Sequence, residues 1–406
     1  MKHFFSIFSQ LPLSNKSMVY LMWIYETGIV ITNVFINIYI FQINQSLVDV
    51  AWYNIVYYGM ILVWFSGIGW IMAYLWKNIK YMYYIGYVMF ITSFIPLIFW
   101  HNSYEATLLF ALLYGLWSGT FWNAVHSQEL KNIHDKYRDF YSSAISAGVN
   151  IIHIFIPLVV AFLFYTSWIF QINAYVIIFF LLPITYLLSF VFIHNIADYI
   201  PKQITTSDVG NFLNFKKYWF GHIYYCLGGF GHGLESVIIP IITILLLKNE
   251  INVWLFQWAM SIVSTFCVIY FASRRTIENR MYYFFFLSVL LFLNYFLFSL
   301  FFGLISFIIF SFILLLLKPI FRVSSHTYDL SLMDNVKTDR SDFYPSMILR
   351  EIILAFGRFS AIWIIIVLFH IGYTTQILLQ AWIALIWCKY ILKSILIYLW
   401  EKYEKQ

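Results

Sequence analysis

Glu26, Asn33 and Asn37 stand seven and four residues apart in an otherwise apolar stretch, a spacing that sets all three on one face of a helix. Ser146, Asn150 and His153 share a face in the same way, ahead of Pro157, and His232 precedes Glu235 by about one helical turn. Lys318, Arg322, Ser325 and Asp329 form a stripe with spacings of four, three and four, and Glu351 lies seven residues before Arg358, two turns along one face. Trp122, Asn123 and His126 cluster near the end of another apolar run. Buried carboxylates and an imidazole can bind and release a proton or hold a cation, and an arginine beside a glutamate can grip the polar part of a small solute. Glu26, Glu235 and His153 are therefore candidates for a coupling-ion site. Asn33, Asn37, Asn150, Trp122, Glu351 and Arg358 are candidates for a solute site.

Each of these residues also has a structural reading. Glu26 and Glu235 could bond a neighbouring helix and do nothing more. Lys318, Arg322 and Asp329, with Asp139, Asp342 and Arg350, suit a gate of ion pairs towards the inner membrane face. Arg350 is near enough to that face to pair with a loop carboxylate, and His126 and His326 read as gate or packing residues. Pro157 is expected to bend its helix, a break that neighbouring helices can satisfy. Gly228-Gly229-Phe230-Gly231-His232-Gly233 lacks the Lys-Ser/Thr ending and the preceding strand of a phosphate loop, so close packing or flexing of its helix is expected. The sequence contains no His-Glu-x-x-His, nucleophile elbow, paired thiols or ATP-hydrolysing motif. No metal, cofactor or catalytic residue is therefore assigned, and the chain is not read as an enzyme.

The elements that position these residues follow from composition. Of 406 residues, 62% are hydrophobic and 10% charged, against roughly 25% charged in a soluble domain. So much apolar side chain cannot be hidden from water, and the solvent must be lipid. That excludes a soluble enzyme, a secreted disulfide scaffold and a nucleic-acid-binding domain. Cys226, Cys267 and Cys388 lie singly in apolar runs, without metal-ligand or disulfide spacing. Runs of about 20 apolar residues mark twelve membrane spans: 18–43, 50–75, 81–100, 106–128, 141–165, 168–194, 218–247, 252–272, 281–301, 303–328, 344–370 and 374–398. The third, sixth and ninth carry no charge, and Lys389 and Lys393 of the twelfth lie where long stems can snorkel to headgroups. Every third span is thus expected to face lipid, and the others to line a central water-filled cavity.

Lys and Arg set the orientation. The first seventeen residues, the tail and alternate connections carry them, including Lys77, Lys80, Arg138, Lys216, Lys217, Arg274, Arg275 and Lys337, whereas the opposite connections share only Lys248. Basic segments stay in the cytoplasm on insertion, so both termini are expected inside, in a multi-pass protein of the cell (inner or plasma) membrane. The net charge of +6 is then a topology signal, not a nucleic-acid site. Residues 198–217 read as a cytoplasmic linker between 1–197 and 218–406. Phe121-Trp122-Asn123-Ala124-Val125-His126, followed by Asp139-Phe140-Tyr141, matches Phe321-Arg322-Val323-Ser324-Ser325-His326, followed by Asp342-Phe343-Tyr344. Counted from Asn44 and Asn249, Glu26 and Glu235 differ by four residues, about one turn. Together these predict an all-α membrane protein of twelve transmembrane helices in two pseudo-symmetric, parallel six-helix bundles.

Twelve spans, parallel halves, internal termini and basic second-to-third and eighth-to-ninth connections resemble the major facilitator superfamily. Tyr114-Gly115-Leu116-Trp117-Ser118-Gly119-Thr120-Phe121-Trp122-Asn123-Ala124 is similar to the fourth helix of its bacterial members, and Arg350-Glu351 with Phe356-Gly357-Arg358 to the eleventh. The superfamily's Gly-x-Leu-Ala-Asp-Arg-x-Gly pattern is not kept: Ala73 stands at the Asp and Trp76 at the second Gly. Pro157 also lacks the flanking glycines of the antiporter pattern. The resemblance implies a monomeric secondary active transporter, symporter or antiporter, moving a small-molecule substrate across the bilayer by alternating access. Glu26 and Glu235 would suit proton coupling. Two other classes fit the composition. A polytopic enzyme of lipid-linked sugar or acyl transfer could use His153, Glu26 and Glu351, but would need a donor-holding loop, and no loop exceeds about twenty-five residues. A proton-channel subunit of a respiratory complex is suggested by Lys318 and Glu235, and should lack pseudo-symmetry between halves.

Overall fold

Lipid offers no partner to a backbone N–H or C=O, so an apolar chain of this kind must satisfy its backbone within each segment. The computed structural model of the protein describes residues 8, 11–71, 78–132, 135–198, 215–272, 280–335, 344–371 and 375–404, and helix is its dominant element. In chain order the helices are α1 (Leu13–Asn44), α2 (Leu47–Ile71), α3 (Lys80–Ser93), α4 (Ile95–Phe99), α5 (Tyr104–Asn132), α6 (Asp135–Phe170), α7 (Ala174–Leu187) and α8 (Ser189–Ile193). They continue with α9 (Phe215–Leu247), α10 (Glu250–Ala272), α11 (Arg280–Leu300), α12 (Leu304–Asn335), α13 (Tyr344–His370) and α14 (Thr375–Glu404). Asp342 and the side chains of Asn33, Ser146, Asp139, Arg322, His326 and Asp329 lie outside the described residues.

Nine stretches among the described residues are long and apolar enough to cross a membrane: Leu13–Asn44, Leu47–Ile68, Lys80–Phe99, Tyr104–Glu129, Gly148–Phe170, Ala174–Ile193, Trp219–Leu247, Met347–His370 and Ile377–Trp400. Large apolar side chains turn outward along them. Phe99, Trp168 and Phe170 are 72%, 75% and 69% exposed, a surface that water would not tolerate and hydrocarbon does. The chain is a multi-pass membrane protein.

Pro157 does not interrupt its helix, since α6 runs through it from Asp135 to Phe170, as α9 runs through Pro240. The breaks fall elsewhere. One is at Phe94, just ahead of Pro96 at the start of α4, where proline lacks a donor for the preceding turn. The other separates α7 from α8 at Leu188.

Tight turns join helices at one end of the molecule. Gln45 after α1 and Lys248 after α9 both take left-handed φ values, 52° and 64°, and both return their N–H to a carbonyl four residues back, Phe41 and Ile244. These matched turns revise the register read from Asn44 and Asn249, which fall on opposite sides of the turn. Glu26 lies nineteen residues before Gln45 and Glu235 thirteen before Lys248, so the offset is six residues and the two acids are not on equivalent faces. We call this the far end. The near end gathers Ser14, Lys80, Ala197 and Asp198: the Ala197 N–H donates to Ser14 Oγ at 2.9 Å, and Lys80 pairs with Asp198 at 3.0 Å.

Two helix pairs approach so closely that a side chain would not fit between them. A Cβ on Gly115 of α5 would sit 2.6 Å from the Tyr57 carbonyl of α2, and one on Gly119 would sit 3.0 Å from the Phe65 nitrogen. A Cβ on Gly229 of α9 would meet the Leu354 carbonyl of α13 at 2.0 Å, and one on Gly357 of α13 the Cys226 carbonyl at 2.1 Å. The Gly-rich run of α9 is thus a packing surface, with small residues spaced by four as membrane helix pairs use them. Helices before residue 198 meet those after residue 215 along α6 with α10, α2 with α13, and α1 with α9.

Candidate functional site

The polar residues singled out in the sequence gather into three groups near the seams of α1, α2, α9 and α13. The first is on the N-terminal side. His153 Nε2 of α6 lies 2.8 Å from Glu26 Oε1 of α1, with the Glu26 side chain 17% and the His153 side chain 42% exposed. Asn150, one turn before His153, is half-buried. Around the pair is an aromatic wall: Tyr25 stacks on Phe121 at 4.4 Å, its hydroxyl accepts from Trp122 Nε1 at 2.9 Å, and Tyr186 donates to the Tyr25 carbonyl at 2.8 Å. The α5 segment Tyr114–Ala124 owes its composition to α2. Its glycines admit the α2 backbone, Thr120 Oγ1 accepts from Trp64, and Asn123 donates to the Phe65 carbonyl. Four members of that segment reach α1 instead: Tyr114 through Thr32, and Trp117, Phe121 and Trp122 through Tyr25.

The second group is on the C-terminal side and is denser in charge. Glu235 of α9 accepts from Lys318 of α12 at 2.9 Å, Lys389 of α14 at 2.5 Å, and the hydroxyls of Tyr295 and Tyr390 at 3.0 and 3.1 Å. Lys318 thus sits with the coupling candidate and not in a separate inner gate. Lys389, expected to snorkel, is turned inward instead: its side chain is 11% exposed and packs where a Cβ on Gly231 would stand. Sequence reasoning missed it. The signal was present in Gly228 and Gly231, three residues apart on α9, which clear a path for the stems of Lys393 and Lys389.

The third group bridges the sides. Arg358 pairs with Glu351 at 2.5 Å, as their seven-residue spacing allows, with side-chain exposures of 13% and 9%. The Arg358 guanidinium lies 5.0 Å over the Tyr58 ring of α2, and the Tyr58 hydroxyl is 3.2 Å from His232 Nδ1 of α9. Asn37 donates to the Ser236 carbonyl at 3.1 Å and accepts from Asn54 at 2.8 Å, so this solute candidate also ties α1 to α9. Towards the near end, Arg350 lies 3.4 Å from His126 Nε2, and His126 stacks on Trp122 and meets Glu129 at 3.3 Å. Arg350 thus contacts a histidine of the opposite side, and the loops whose carboxylates it was expected to meet lie outside the described residues.

At the far end, Gln42 of α1 donates to Glu250 of α10 at 2.6 Å, while the Tyr175 hydroxyl of α7 contacts Gln42 Oε1 and reaches Glu250 at 3.2 Å. This clasp was not foreseen, because polar residues at span ends read as ordinary interface residues. No group of three or more His, Cys, Asp or Glu suited to a metal occurs among the described residues. An open apolar crevice of about 790 Å³ between α11 and α12, lined by Leu297, Phe301, Ile305 and Ile309 among others, contains none of the candidates.

With this geometry in hand, the fold can be placed among known ones. The POT family transporter PepTSo superposes with a TM-score of 0.70 over 98% of this chain and 99% of its own, at 8% identity. The nucleoside transporter NupG gives 0.63 over 95% and 98%, at 13% identity, and the peptide transporter POT in complex with sulfate gives 0.65 over 96% and 95%, at 13%. The sequence itself matches no family model and no curated protein. The fold is that of polytopic α-helical transporters. More particularly, it is the major-facilitator type, as the sequence resemblance implied.

Proposed function

We propose that this chain is a secondary active transporter in which two six-helix bundles, residues 1–197 and 218–406, rock about a shared site between them. The observation that carries this is the set of buried ionic groups at the meeting of α1, α2, α9 and α13, on a fold shared with transporters. A charge at mid-bilayer costs roughly 2.5–3.5 kcal/mol on the insertion scale, so groups kept there need a use. Helices α10, α11 and α12 stand at the three predicted spans outside the nine apolar stretches, which supports a count of twelve. The matched left-handed turns after α1 and α9 support the two-fold relation. The near end carries the basic connections and is assigned to the cytoplasm. There Arg322, Asp329, Asp139, Asp342 and Arg350 keep their proposed connection with the inner gate, from which the bond to Glu235 withdraws Lys318.

Glu26 with His153 is the better seat for a coupling proton. One acid faces one imidazole there, and the pair can hold or lose a single proton without leaving other charges exposed. Glu235, matched to two ammonium groups and two phenols, anchors its helices. A proton crossing 100 mV supplies about 2.3 kcal/mol, roughly 40-fold accumulation.

The test uses purified protein in proteoliposomes, with a solute chosen by a thermal-shift screen across metabolite classes. Gradient-driven accumulation should vanish in Glu26→Gln while solute exchange persists. Accumulation that survives in both Glu26→Gln and Glu235→Gln would end the proton-coupled mechanism.

A further inference from the structure

Charge is not balanced on the C-terminal wall of the site. The charges that reach the His232 ring are those of Arg358, Lys389 and Lys318, with Glu235 as the acid among them. Adding Glu351, which pairs with Arg358, leaves three cations against two carboxylates. Arg322 and Asp329, next along α12, carry opposite formal charges and leave the surplus as it stands. Glu26 lies apart from this wall, bonded to His153 of α6.

Two of the three cations retain capacity for a ligand. Arg358 gives Nη1 to Glu351, and its buried Nε has no hydrogen-bond partner among the described residues. Lys318 pairs with Glu235 through one of three N–H donors while its side chain stays 45% exposed. Surplus positive charge at bilayer depth is costly until an anion meets it, and guanidinium and ammonium groups bind oxyanions by charge-assisted hydrogen bonds.

We infer that the solute carries an anionic group, a carboxylate or a phosphate-like oxyanion, received between Lys318 and Arg358 beneath Tyr58 and His232. As a substrate class this rests on the transporter proposal; as a binding site it does not.

Thermal unfolding of the full-length protein in sodium sulfate and in sodium chloride of equal ionic strength tests it. Sulfate stabilises proteins generally by exclusion from their surfaces, so the informative quantity is the sulfate increment in wild type minus that in a variant. Wild type should melt about 3 °C higher in sulfate than Lys318→Gln does relative to its own chloride value. Lys318→Arg should keep the increment. The Lys318→Gln protein should remain folded, because Lys389 still matches Glu235. Acetate and inorganic phosphate used in place of sulfate separate a carboxylate preference from an oxyanion preference. An increment of equal size in wild type and Lys318→Gln, for all three anions, overturns the inference. Gradient-driven uptake of a neutral or cationic solute by a protein without the increment would do so as well, while leaving transport intact. An increment in a protein that accumulates nothing would uphold the anion site and count against the transporter proposal.

Discussion

Glu26 on α1 and Glu235 on α9 each precede one of the two matched left-handed turns, yet their surroundings differ sharply. Glu26 has one titratable partner, His153, whose side chain is 42% exposed. Glu235 is held by Lys318, Lys389, Tyr295 and Tyr390 from three other helices. A carboxylate with one adjustable partner can change protonation with little disturbance nearby. One that compensates two ammonium groups cannot be neutralised without stranding them. The two walls therefore differ in kind: an aromatic, hydrogen-bonded wall surrounds a carboxylate–imidazole pair on one side, and a charged wall is fixed by ion pairs on the other.

The sharpest way to break this contrast is to neutralise each acid in turn. Glu235→Gln should cost about 3–5 kcal/mol of stability, the usual price of an uncompensated buried charge. Glu26→Gln should cost about 1–2 kcal/mol, one hydrogen bond to a charged group. Denaturant unfolding in detergent measures both, and equal losses would erase the distinction. Adding Lys389→Gln to Glu235→Gln should recover much of the larger loss.

Next in size are the close helix contacts. Gly357→Ala should destabilise by about 2–3 kcal/mol through overpacking, since its Cβ would meet the Cys226 carbonyl at 2.1 Å. Gly67→Ala, with nothing within 4 Å of its Cβ, should stay within about 0.5 kcal/mol of wild type in the same measurement. The far-end clasp should matter less. Gln42→Ala removes one neutral partner, worth about 1 kcal/mol, and should raise maleimide labelling of a cysteine placed beside Glu250 about fivefold.

The smallest effect lies at the near end. Asn78 and Lys80 donate to Asp198 and hold its carboxyl below the usual carboxylate range. A depressed folded-state value gives stability that is present above the unfolded pKa and fades as pH falls through the folded one. Asp198→Asn should therefore lower the melting temperature slightly at neutral pH, where that contribution is present, and leave it unchanged at low pH, which flattens the acid limb of the profile. Its side chain is 70% exposed to solvent, which keeps the effect small.

The spans were legible because hydropathy at membrane length is a strong local signal, and the Glu351–Arg358 pair because both residues lie on one helix. Resemblance to known transporters likewise held at the level of fold. Partners on different helices were not legible: nothing local in the sequence links Lys389 to Glu235, 154 residues away, or His153 to Glu26, 127 away. The snorkelling expectation for Lys389 failed because it weighed stem length against depth and not the notch that Gly231 opens in the facing helix. The four-residue register failed for a related reason, since the turn is set by Gln45 and Lys248, residues chosen by backbone geometry and not by identity.

Backbone atoms of α9 and α13 touch where Gly229 and Gly357 lie, with no side-chain cushion to deform. Sliding one past the other would drive carbonyls into Cα atoms, so the two helices form a stiff girder with Lys389 lodged against its flank. Any hinge must then lie outside it. The rocking proposed above would then fall on the seams of α2 with α13 and α6 with α10; in the first of these a Cβ on Gly59 would meet only the Phe359 ring, at 3.7 Å.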